Sequence, residues 1–375
     1  MKIGFIFPSS DYLHDPFRGD PHTHFHILTI LEEHFGDKLE LSLIDLRGIK
    51  REFAFLHIYE CDVYLHSVYT LDYEEQKLIA ESLRIRYPKA IHVAGGPHVN
   101  IYRKEALKVF DSLIIGEGET AIIQVINDIM NLKLKPIYDL QEKVDINKYP
   151  FPSRKYLPPS AIARRGLITT KGNGYDKLLT TSVLFSRGCP YKCVFCAMSV
   201  EGYMPGIRYR SPENIQNEIE YLKREYKVEG IALFDDIAIP LSTRKSIPHI
   251  EAIGRTNVKW KAQSRVDGMS PDLAKLAKES GCVTIGMGVE SVSQKVLDII
   301  NKQIDINDAK KTISFLKHNG IECRIYLIMG LPGEEKDVVK KTLEFIDETE
   351  PDLVTLSLFT PRPGTEVFNN PKNLE

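Results

Sequence analysis

Short apolar runs alternate with amphipathic segments along residues 1 to about 132. The apolar runs predict five strands, at Ile3 to Pro8, Leu39 to Asp45, Asp62 to Tyr69, Ala90 to Ala94 and Leu113 to Ile115. Helical spacing of apolar residues between several of them is clearest at Tyr73 to Tyr87 and Glu119 to Leu132. Strands that are apolar along nearly their whole length and alternate with helices are typical of a parallel sheet covered on both faces. The pattern predicts a Rossmann-like, doubly wound α/β domain over residues 1–132.

The periodicity fades over residues 133–176. Prolines collect in this stretch, at Pro136, Pro150, Pro152, Pro158 and Pro159. Because proline interrupts both helices and sheet ladders, we expect a linker here rather than a packed element.

A strand-then-helix rhythm returns over residues 177–375. The predicted strands are Thr180 to Ser186, Gly230 to Phe234, Val258 to Arg265, Val283 to Val289, Cys323 to Met329 and Leu353 to Phe359. Helical patterns separate them, and Ser211-Pro212 and Ser270-Pro271 each offer a hydroxyl N-cap followed by proline at the first helical position. Six such strands in this length predict a partial, TIM-like (β/α)6 barrel, because a full eightfold barrel usually needs about 250 residues.

Charge and composition narrow the classes of function. The 375-residue chain has 49 basic and 51 acidic residues, a formal net charge of -2, so no global field favours nucleic acid or an anionic membrane. No stretch approaches the ~18 apolar residues of a membrane span, and the N-terminus lacks a signal peptide. We therefore expect a soluble, cytoplasmic protein. Six cysteines, three of them clustered, suggest metal binding in a reducing compartment rather than a disulfide framework.

Cys189, Cys193 and Cys196 form a C-x3-C-x2-C loop directly after the first predicted barrel strand. Active sites of such barrels are built at this carboxyl-terminal end of the strands. A four-iron cluster normally takes four thiolates, so three would leave one iron open for chemistry. A structural zinc would need a fourth cysteine or a histidine, which is not nearby in the sequence. Two alternatives remain. One is a zinc site completed by a distant histidine, and the other is that the three cysteines bind no metal and are unconnected.

The same loop, with Phe195 as its aromatic position, resembles the C-x3-C-x-aromatic-C signature of radical S-adenosylmethionine (SAM) enzymes. This resemblance implies a [4Fe-4S] cluster whose open iron binds the amino and carboxylate groups of SAM. One electron would then cleave SAM to methionine and a 5′-deoxyadenosyl radical, which abstracts hydrogen from the substrate. It also implies a small-molecule substrate and an external electron donor such as flavodoxin or ferredoxin.

Further positions at the predicted strand ends match the same family. Asp235 and Asp236 could receive the methionine ammonium of SAM, or could be solvated turn residues. Glu290 resembles the family's ribose or amino-acid contact, with plain exposure as the alternative. Arg265 could steady the SAM carboxylate, although an ion pair with Asp267 or Asp235 would explain it as well. Gly330 lies in a segment that resembles the adenine contact, but Tyr326 replaces the motif's first glycine and the acid comes one position late.

A Rossmann-like domain before such a barrel resembles the cobalamin-binding subgroup of the family. The run Gly95-Gly96-Pro97-His98 and the pair Gly116-Glu117 follow two strands, where glycines let a flat cofactor approach the backbone. The cobalamin motif D-x-H-x-x-G is missing. Asp20 and His22 match its aspartate and histidine positions, but Phe25 occupies the position of its glycine. The resemblance implies cobalamin without a protein histidine ligand; the alternative is a domain that only shapes the substrate cleft.

Three alternating histidines, His22, His24 and His26, lead into a predicted helix. Although three histidines invite a metal-site interpretation, their spacing favours a solvated first turn.

The leading functional hypothesis is a cobalamin-dependent methyltransferase acting on an unactivated centre. A cobalamin-independent radical rearrangement or oxidation is the second, and a non-catalytic cobalamin or redox sensor the third. A tRNA methylthiotransferase would carry a second three-cysteine set in its first domain, where only Cys61 is present.

Overall fold

The chain forms two compact units, Met1–Pro158 and Pro159–Glu375, in a computed structural model. The structure describes residues 1–17, 19–169, 174–200, 206–240 and 243–370. The sequence pattern predicts a helix over Ser242 to Ile253, and Ser242 lies outside the described residues. The division between the units falls within the predicted linker, and the domain bounds themselves stay a prediction. Among the described residues, no helix combines the length and apolar character needed to cross a membrane.

The first unit contains a six-stranded parallel sheet with the order β2-β1-β3-β4-β5-β6. The strands are β1 (Lys2–Phe7), β2 (Glu40–Asp45), β3 (Val63–Ser67), β4 (Ile91–Gly95), β5 (Ser112–Ile115) and β6 (Ile137–Asp139). Because β2 and β3 lie on opposite sides of β1, the chain reverses direction across the sheet there. Ligands of doubly wound domains bind at the carboxyl ends of strands at such a reversal.

Helices cover both faces of this sheet. They are α1 (His22–Phe35), α2 (Tyr73–Arg86), α3 (Pro97–Ile101), α4 (Arg103–Ala106) and α5 (Gly118–Met130). Leu28 of α1 and Ile122 of α5 share one core with β1 and β3, whereas Ile79 of α2 lies in a separate core with Tyr64. The doubly wound prediction is therefore confirmed. Strand β6 adds to it, since these three residues of the predicted linker pair with β5.

The second unit contains a six-stranded parallel sheet with the order β14-β13-β12-β11-β10-β7. Its strands are β7 (Thr180–Val183), β10 (Gly230–Leu233), β11 (Lys259–Ser264), β12 (Cys282–Glu290), β13 (Glu322–Met329) and β14 (Leu353–Leu358), and a small antiparallel hairpin joins β8 (Ser186–Arg187) to β9 (Arg208–Tyr209). Strands β7 and β14 form the two edges. The sheet is thus the predicted partial barrel.

Helix α6 (Pro159–Ile162) precedes the first strand of the second unit, and the other helices follow its strands. They are α7 (Pro212–Tyr226), α8 (Thr243–Arg255), α9 (Pro271–Glu279), α10 (Gln294–Ile299), α11 (Ile306–His318), α12 (Val338–Thr349) and α13 (Glu366–Asn369). Successive major helices contact one another side by side, as expected for one layer outside a curved sheet. The predicted caps are confirmed, because Ser211 and Ser270 accept hydrogen bonds from the backbone N–H groups of Asn214 and Leu273.

The strands of the second sheet bury one face beneath the helices and leave the other partly open. On β13, Cys323, Ile325 and Leu327 belong to the core under the helices. The alternate residues face the interior, where Glu322 accepts a hydrogen bond from Thr169 Oγ1 at 2.7 Å. The only tryptophan of the chain, Trp260 on β11, is fully buried in the helix-side core and donates Nε1–H to the Ser280 carbonyl at 3.1 Å.

The prediction of a solvated first turn for the three histidines is wrong at His24. This side chain is buried, with its ring centroid 4.1 Å from that of Phe5 and 4.8 Å from that of Phe7. Its Nε2–H donates to the Ile6 carbonyl at 3.0 Å. Alternating spacing could not show that helix α1 turns His24 onto β1. His26 lies half-buried, 3.3 Å from the Glu119 carboxylate.

Candidate functional site

The cysteine loop leaves the sheet after β7 and the short strand β8. Gly188, just before Cys189, has a φ of +90°, a conformation that side chains rarely adopt. The backbone of Val194 fixes the centre of the loop. Its N–H donates to the Ile300 carbonyl at 3.1 Å, and its carbonyl accepts from Val367 N–H at 3.3 Å. Cys193 is buried, and Cys189 and Cys196 are half-buried. The backbone thus holds three thiols in one partly enclosed loop.

The three thiols are close enough to influence one another electrostatically. Burial raises the pKa of all three, that of Cys196 to about 11, and the neighbouring cysteines add to the increase for Cys193 and Cys196. Arg265 and Lys302 oppose the increase at Cys189 and Cys193. Among the described residues, no three histidine, cysteine or acidic side chains are grouped so as to hold a single metal ion. Soft thiols with cations beside them suit an iron–sulfur cluster, whose bound iron would replace their protons.

Phe195, the aromatic position of the motif, packs against the core beneath the helices. It therefore anchors the loop between Cys193 and Cys196.

Arg265 supports the cysteine loop from β11. Its guanidinium carbon lies 3.4 Å from the centre of the Tyr191 ring, and it forms a two-point ion pair with Asp267 at 2.8 and 3.1 Å. It also donates to the carbonyls of Lys302 and Gln303, each at 3.0 Å. Of the two predicted acidic partners, the structure therefore selects Asp267. Arg265 links the cysteine loop to the turn that carries Lys302.

Glu290 and Lys302 form an ion pair near the thiols. Lys302 Nζ lies 2.7 Å from Glu290 Oε1, and the two side chains are only 9% and 13% exposed. Glu290 ends β12 with a φ of +68°, a strained conformation of the kind found at functional sites. A Cβ at Gly288 would come within 2.9 Å of Lys302 Nζ, so glycine makes room for the pair. Lys302 belongs to no sequence motif that could have marked it.

Asp235 and Asp236 occupy different environments although they are adjacent. Asp235 is buried and accepts hydrogen bonds from Phe185 N–H at 2.7 Å and from the Ser186 backbone N–H and hydroxyl. Burial nevertheless raises its pKa to about 6, and its second oxygen, Oδ2, has no hydrogen-bond partner among the described residues. Asp236 is exposed, yet desolvation by the surrounding protein raises its pKa. Asp235 therefore fixes the start of the cysteine loop, and Asp236 is the one open to a ligand.

Gly330 is exposed directly after β13, with a φ of +89°. Its N–H donates to Glu334 Oε2 at 2.8 Å, so the acid that comes one position late still folds back onto this turn.

The glycine run after β4 in the first unit has a packing role. A Cβ at Gly96, where φ is +107°, would lie 2.8 Å from the Val68 carbonyl oxygen and 2.9 Å from its nitrogen. Pro97 begins α3, and His98 is buried with its ring centroid 4.1 Å from that of Tyr73. Gly95 is the last residue of β4, and its carbonyl accepts a hydrogen bond from Val68 N–H at 2.8 Å. Internal packing alone thus accounts for Gly96.

Gly116 and Glu117 lie where β5 meets α5. Gly116 has a φ of +79° and no heavy atom within 4 Å of a Cβ placed there, so the space above it is open. Its N–H donates to Asn100 Oδ1 at 3.0 Å, and Glu117 Oε2 accepts from Val144 N–H at 2.7 Å. Glu117 therefore holds the segment after β6 rather than projecting freely.

Exposed apolar side chains lie on the two loops at the chain reversal of the first sheet. They are 44–70% exposed and follow β1 (Tyr12, Leu13, Phe17) and β3 (Tyr69, Leu71). Large apolar residues grouped at a surface mark binding sites more often than isolated ones do. No sequence pattern marks this group, because its members come from separate loops.

Comparison with known proteins gives matches to both the sequence and the fold. A family described as the radical SAM superfamily matches residues 183–346. An uncharacterized methyltransferase of Pyrococcus horikoshii is 29% identical over 287 residues, covering 74% of this chain and 62% of that protein. The anaerobic magnesium-protoporphyrin IX monomethyl ester cyclase of Cereibacter sphaeroides is 27% identical over 299 residues, covering 75% of this chain and 48% of the cyclase. The chain thus spans less than two thirds of either relative.

The fold is also found in a solved structure. This is the radical SAM methyltransferase TsrM of Kitasatospora setae, solved with cobalamin and a [4Fe-4S] cluster bound. The match covers 98% of this chain and 74% of TsrM, with a TM-score of 0.75 and a sequence identity of 15%. At this identity the similarity shows a shared fold. The family match covers the three cysteines and most of the second sheet, so this part of the chain, residues 183–346, is similar to the radical SAM superfamily.

Proposed function

We propose that this chain is a cobalamin-dependent radical SAM methyltransferase that acts on an unactivated centre of a small-molecule substrate. The proposal depends on one observation above all, the three thiols of Cys189, Cys193 and Cys196 held in one partly enclosed loop at the carboxyl end of the barrel strands. An external one-electron donor, such as flavodoxin or ferredoxin, completes the reaction.

The three cysteines would hold a [4Fe-4S] cluster. When bound, the cluster supplies the electron that cleaves the sulfonium of SAM to methionine and a 5′-deoxyadenosyl radical. The chain's own contribution is to hold the thiolates: Val194 fixes the loop backbone, and Arg265 and Lys302 offset part of the negative charge. Three thiolates leave one iron for SAM.

Charged residues beside the thiols would bind the amino-acid end of SAM. Glu290 and the exposed Asp236 suit its ammonium group, and Lys302 suits its carboxylate. Because Glu290 and Lys302 are already paired at 2.7 Å, SAM would exchange one ion pair for two without leaving a buried charge alone. Gly330 would lie against the adenine.

The first unit would bind cobalamin at its chain reversal. When bound, cobalamin supplies a carrier for the methyl group. The exposed Tyr12, Phe17 and Tyr69 offer apolar area to a flat macrocycle, and the open space above Gly116 admits one edge of it. His98 is enclosed by Tyr73 and Tyr102, which fits a corrin without a protein histidine ligand.

A second candidate function is a radical oxidation or cyclisation that needs no methyl transfer. The similarity to the magnesium-protoporphyrin cyclase favours it, whereas the Pyrococcus horikoshii relative and TsrM favour methyl transfer.

Anaerobic reconstitution with iron and sulfide tests the cluster directly. We expect about four irons per wild-type chain and 5′-deoxyadenosine on reduction with SAM. The Cys193→Ser variant should lose both, and Cys282→Ala, which removes a buried thiol at the start of β12, should keep both. A zinc-loaded protein, or a Cys193→Ser variant that behaves as wild type, would refute the proposal.

A further inference from the structure

Arg324 is a cation without a partner inside the barrel. It lies on β13 between Cys323 and Ile325, whose side chains face the helices, so its own side chain faces the interior. The residue is partly buried, its Nε is fully buried, and no described residue forms a hydrogen bond or ion pair with it. Leaving a buried charged donor unsatisfied costs free energy. An arginine kept in this state suggests that a ligand completes it.

Two more polar groups lie at the same level of the sheet. Gly286 on β12 is in register with Arg324 on one side and with Gln263 of β11 on the other. A Cβ at Gly286 would lie 2.8 Å from the Tyr326 hydroxyl oxygen, so the tyrosine ring crosses this glycine. The Gln263 side chain and the Tyr326 hydroxyl also lack a hydrogen-bond partner among the residues described.

Gly286 makes room for the Tyr326 ring, which places the tyrosine hydroxyl on the strand between Arg324 and Gln263. Since neighbouring strands are about 4.8 Å apart, Gln263 and Arg324 begin roughly 10 Å from each other. The guanidinium, the amide and the tyrosine hydroxyl thus border one polar area on the inner face of the sheet, and its width suits a planar group of three or four heavy atoms. The floor beneath it is closed, because Thr284 Oγ1 donates to the Ile168 carbonyl at 2.7 Å.

We propose that Arg324, with Gln263 and Tyr326, binds a carboxylate of the substrate. Arginine can pair with either a carboxylate or a phosphate through two parallel hydrogen bonds, and a carboxylate, with one negative charge, is the group that the single cation Arg324 neutralises. Glu290 comes four positions after Gly286 on the same strand, which puts the carboxylate roughly 13 Å below the SAM end of the barrel. This inference rests on the proposed function in one respect, which is that the bound carboxylate belongs to the substrate.

Binding of two probes of the same shape tests the site without catalysis. Isothermal titration of the reconstituted chain, without reductant, would compare 3-phenylpropanoate with the neutral 3-phenylpropanamide. We expect the carboxylate to bind at least ~10-fold more tightly to the wild type, and Arg324→Gln to abolish this preference. Lys259→Gln, which removes another cation from the same sheet, should retain it. Because no SAM is cleaved, failure of the proposed reaction would leave the result intact.

Three outcomes would overturn the proposal. The first is a wild type that shows no preference, the second is an Arg324→Gln variant that keeps it, and the third is displacement of the carboxylate by SAM, which would assign Arg324 to the cosubstrate. Melting temperatures separate binding from folding. Arg324→Gln should melt no lower than the wild type, whereas Arg210→Gln should melt lower because it breaks the buried pair with Glu218. A large drop in the melting temperature of Arg324→Gln would show that Arg324 is a structural residue.

Discussion

Lys302 comes within reach of the thiols through backbone conformations that no spacing rule describes. Asn301 and Gln303 on either side of it both have positive φ, 52° and 55°. The turn is fixed from outside by Asn301 Nδ2, which donates to the Lys192 carbonyl at 2.9 Å, and by Arg265. A single side chain thus depends on contacts from two other segments.

Replacing Lys302 with methionine should destabilise the second unit by about 3 kcal/mol, because Glu290 would be left as a buried, unpaired charge. Chemical denaturation measures this loss. The Glu290→Gln/Lys302→Met double variant should recover most of it, since neither charge remains. If the single variant is as stable as the wild type, the pair has no structural value.

At the scale of elements, Gly96 fixes the junction between β4 and α3. Alanine there would combine a positive φ with contacts under 3 Å to the Val68 backbone, and should cost about 3 kcal/mol of unfolding free energy. Gly116→Ala is the matched control, since its φ is also positive but its surroundings are empty, so about 1 kcal/mol is expected. Equal losses would show that conformation rather than contact decides the cost.

The packing of α1 on β1 should weaken in acid through His24. Burial lowers the pKa of His24 to about 4, whereas an unfolded histidine titrates near 6.5. Between these pH values the unfolded chain binds a proton that the folded chain excludes, so stability falls by about 3 kcal/mol as the pH drops through this window.

The His24→Gln variant isolates this effect. Asp72, whose pKa is raised to about 6, stabilises the fold as the pH drops, but it does so equally in the wild type and in the variant. Glutamine can still donate to the Ile6 carbonyl but does not titrate. The variant should lose less stability between pH 6.5 and 4 when unfolding is followed by circular dichroism. Parallel pH profiles would contradict the assignment.

The sequence predicted the elements that are long enough to show periodicity. It missed β6, the β8–β9 hairpin and helices α3, α4, α6 and α13, because elements of two to five residues form through their neighbours rather than through their own pattern. The same limit applies to the site. The cysteines follow a local spacing, whereas the partners of Asp235, Arg265 and Glu290 are set by contacts between distant segments. At His24 the alternating spacing concealed a buried residue.

At the scale of the whole molecule, the residues proposed for the two cofactors lie in different units. Those for the cluster and SAM lie within Cys189–Gly330, and those for cobalamin lie within Tyr12–Glu117. This division separates two steps of the proposed reaction along the chain.

Omitting cobalamin from reconstitution should therefore abolish methyl transfer and leave the formation of 5′-deoxyadenosine from SAM. Chromatography of the products would show S-adenosylhomocysteine only in the complete mixture. Deoxyadenosine alone, with and without cobalamin, would instead support the oxidation or cyclisation.

Trp260 gives the second unit an optical label of its own. Because it is the chain's sole indole and is buried on β11, ultraviolet-excited emission at the red end of the protein spectrum originates from that unit alone. Rearrangements confined to residues 1–158 are silent in this channel unless they reach the indole.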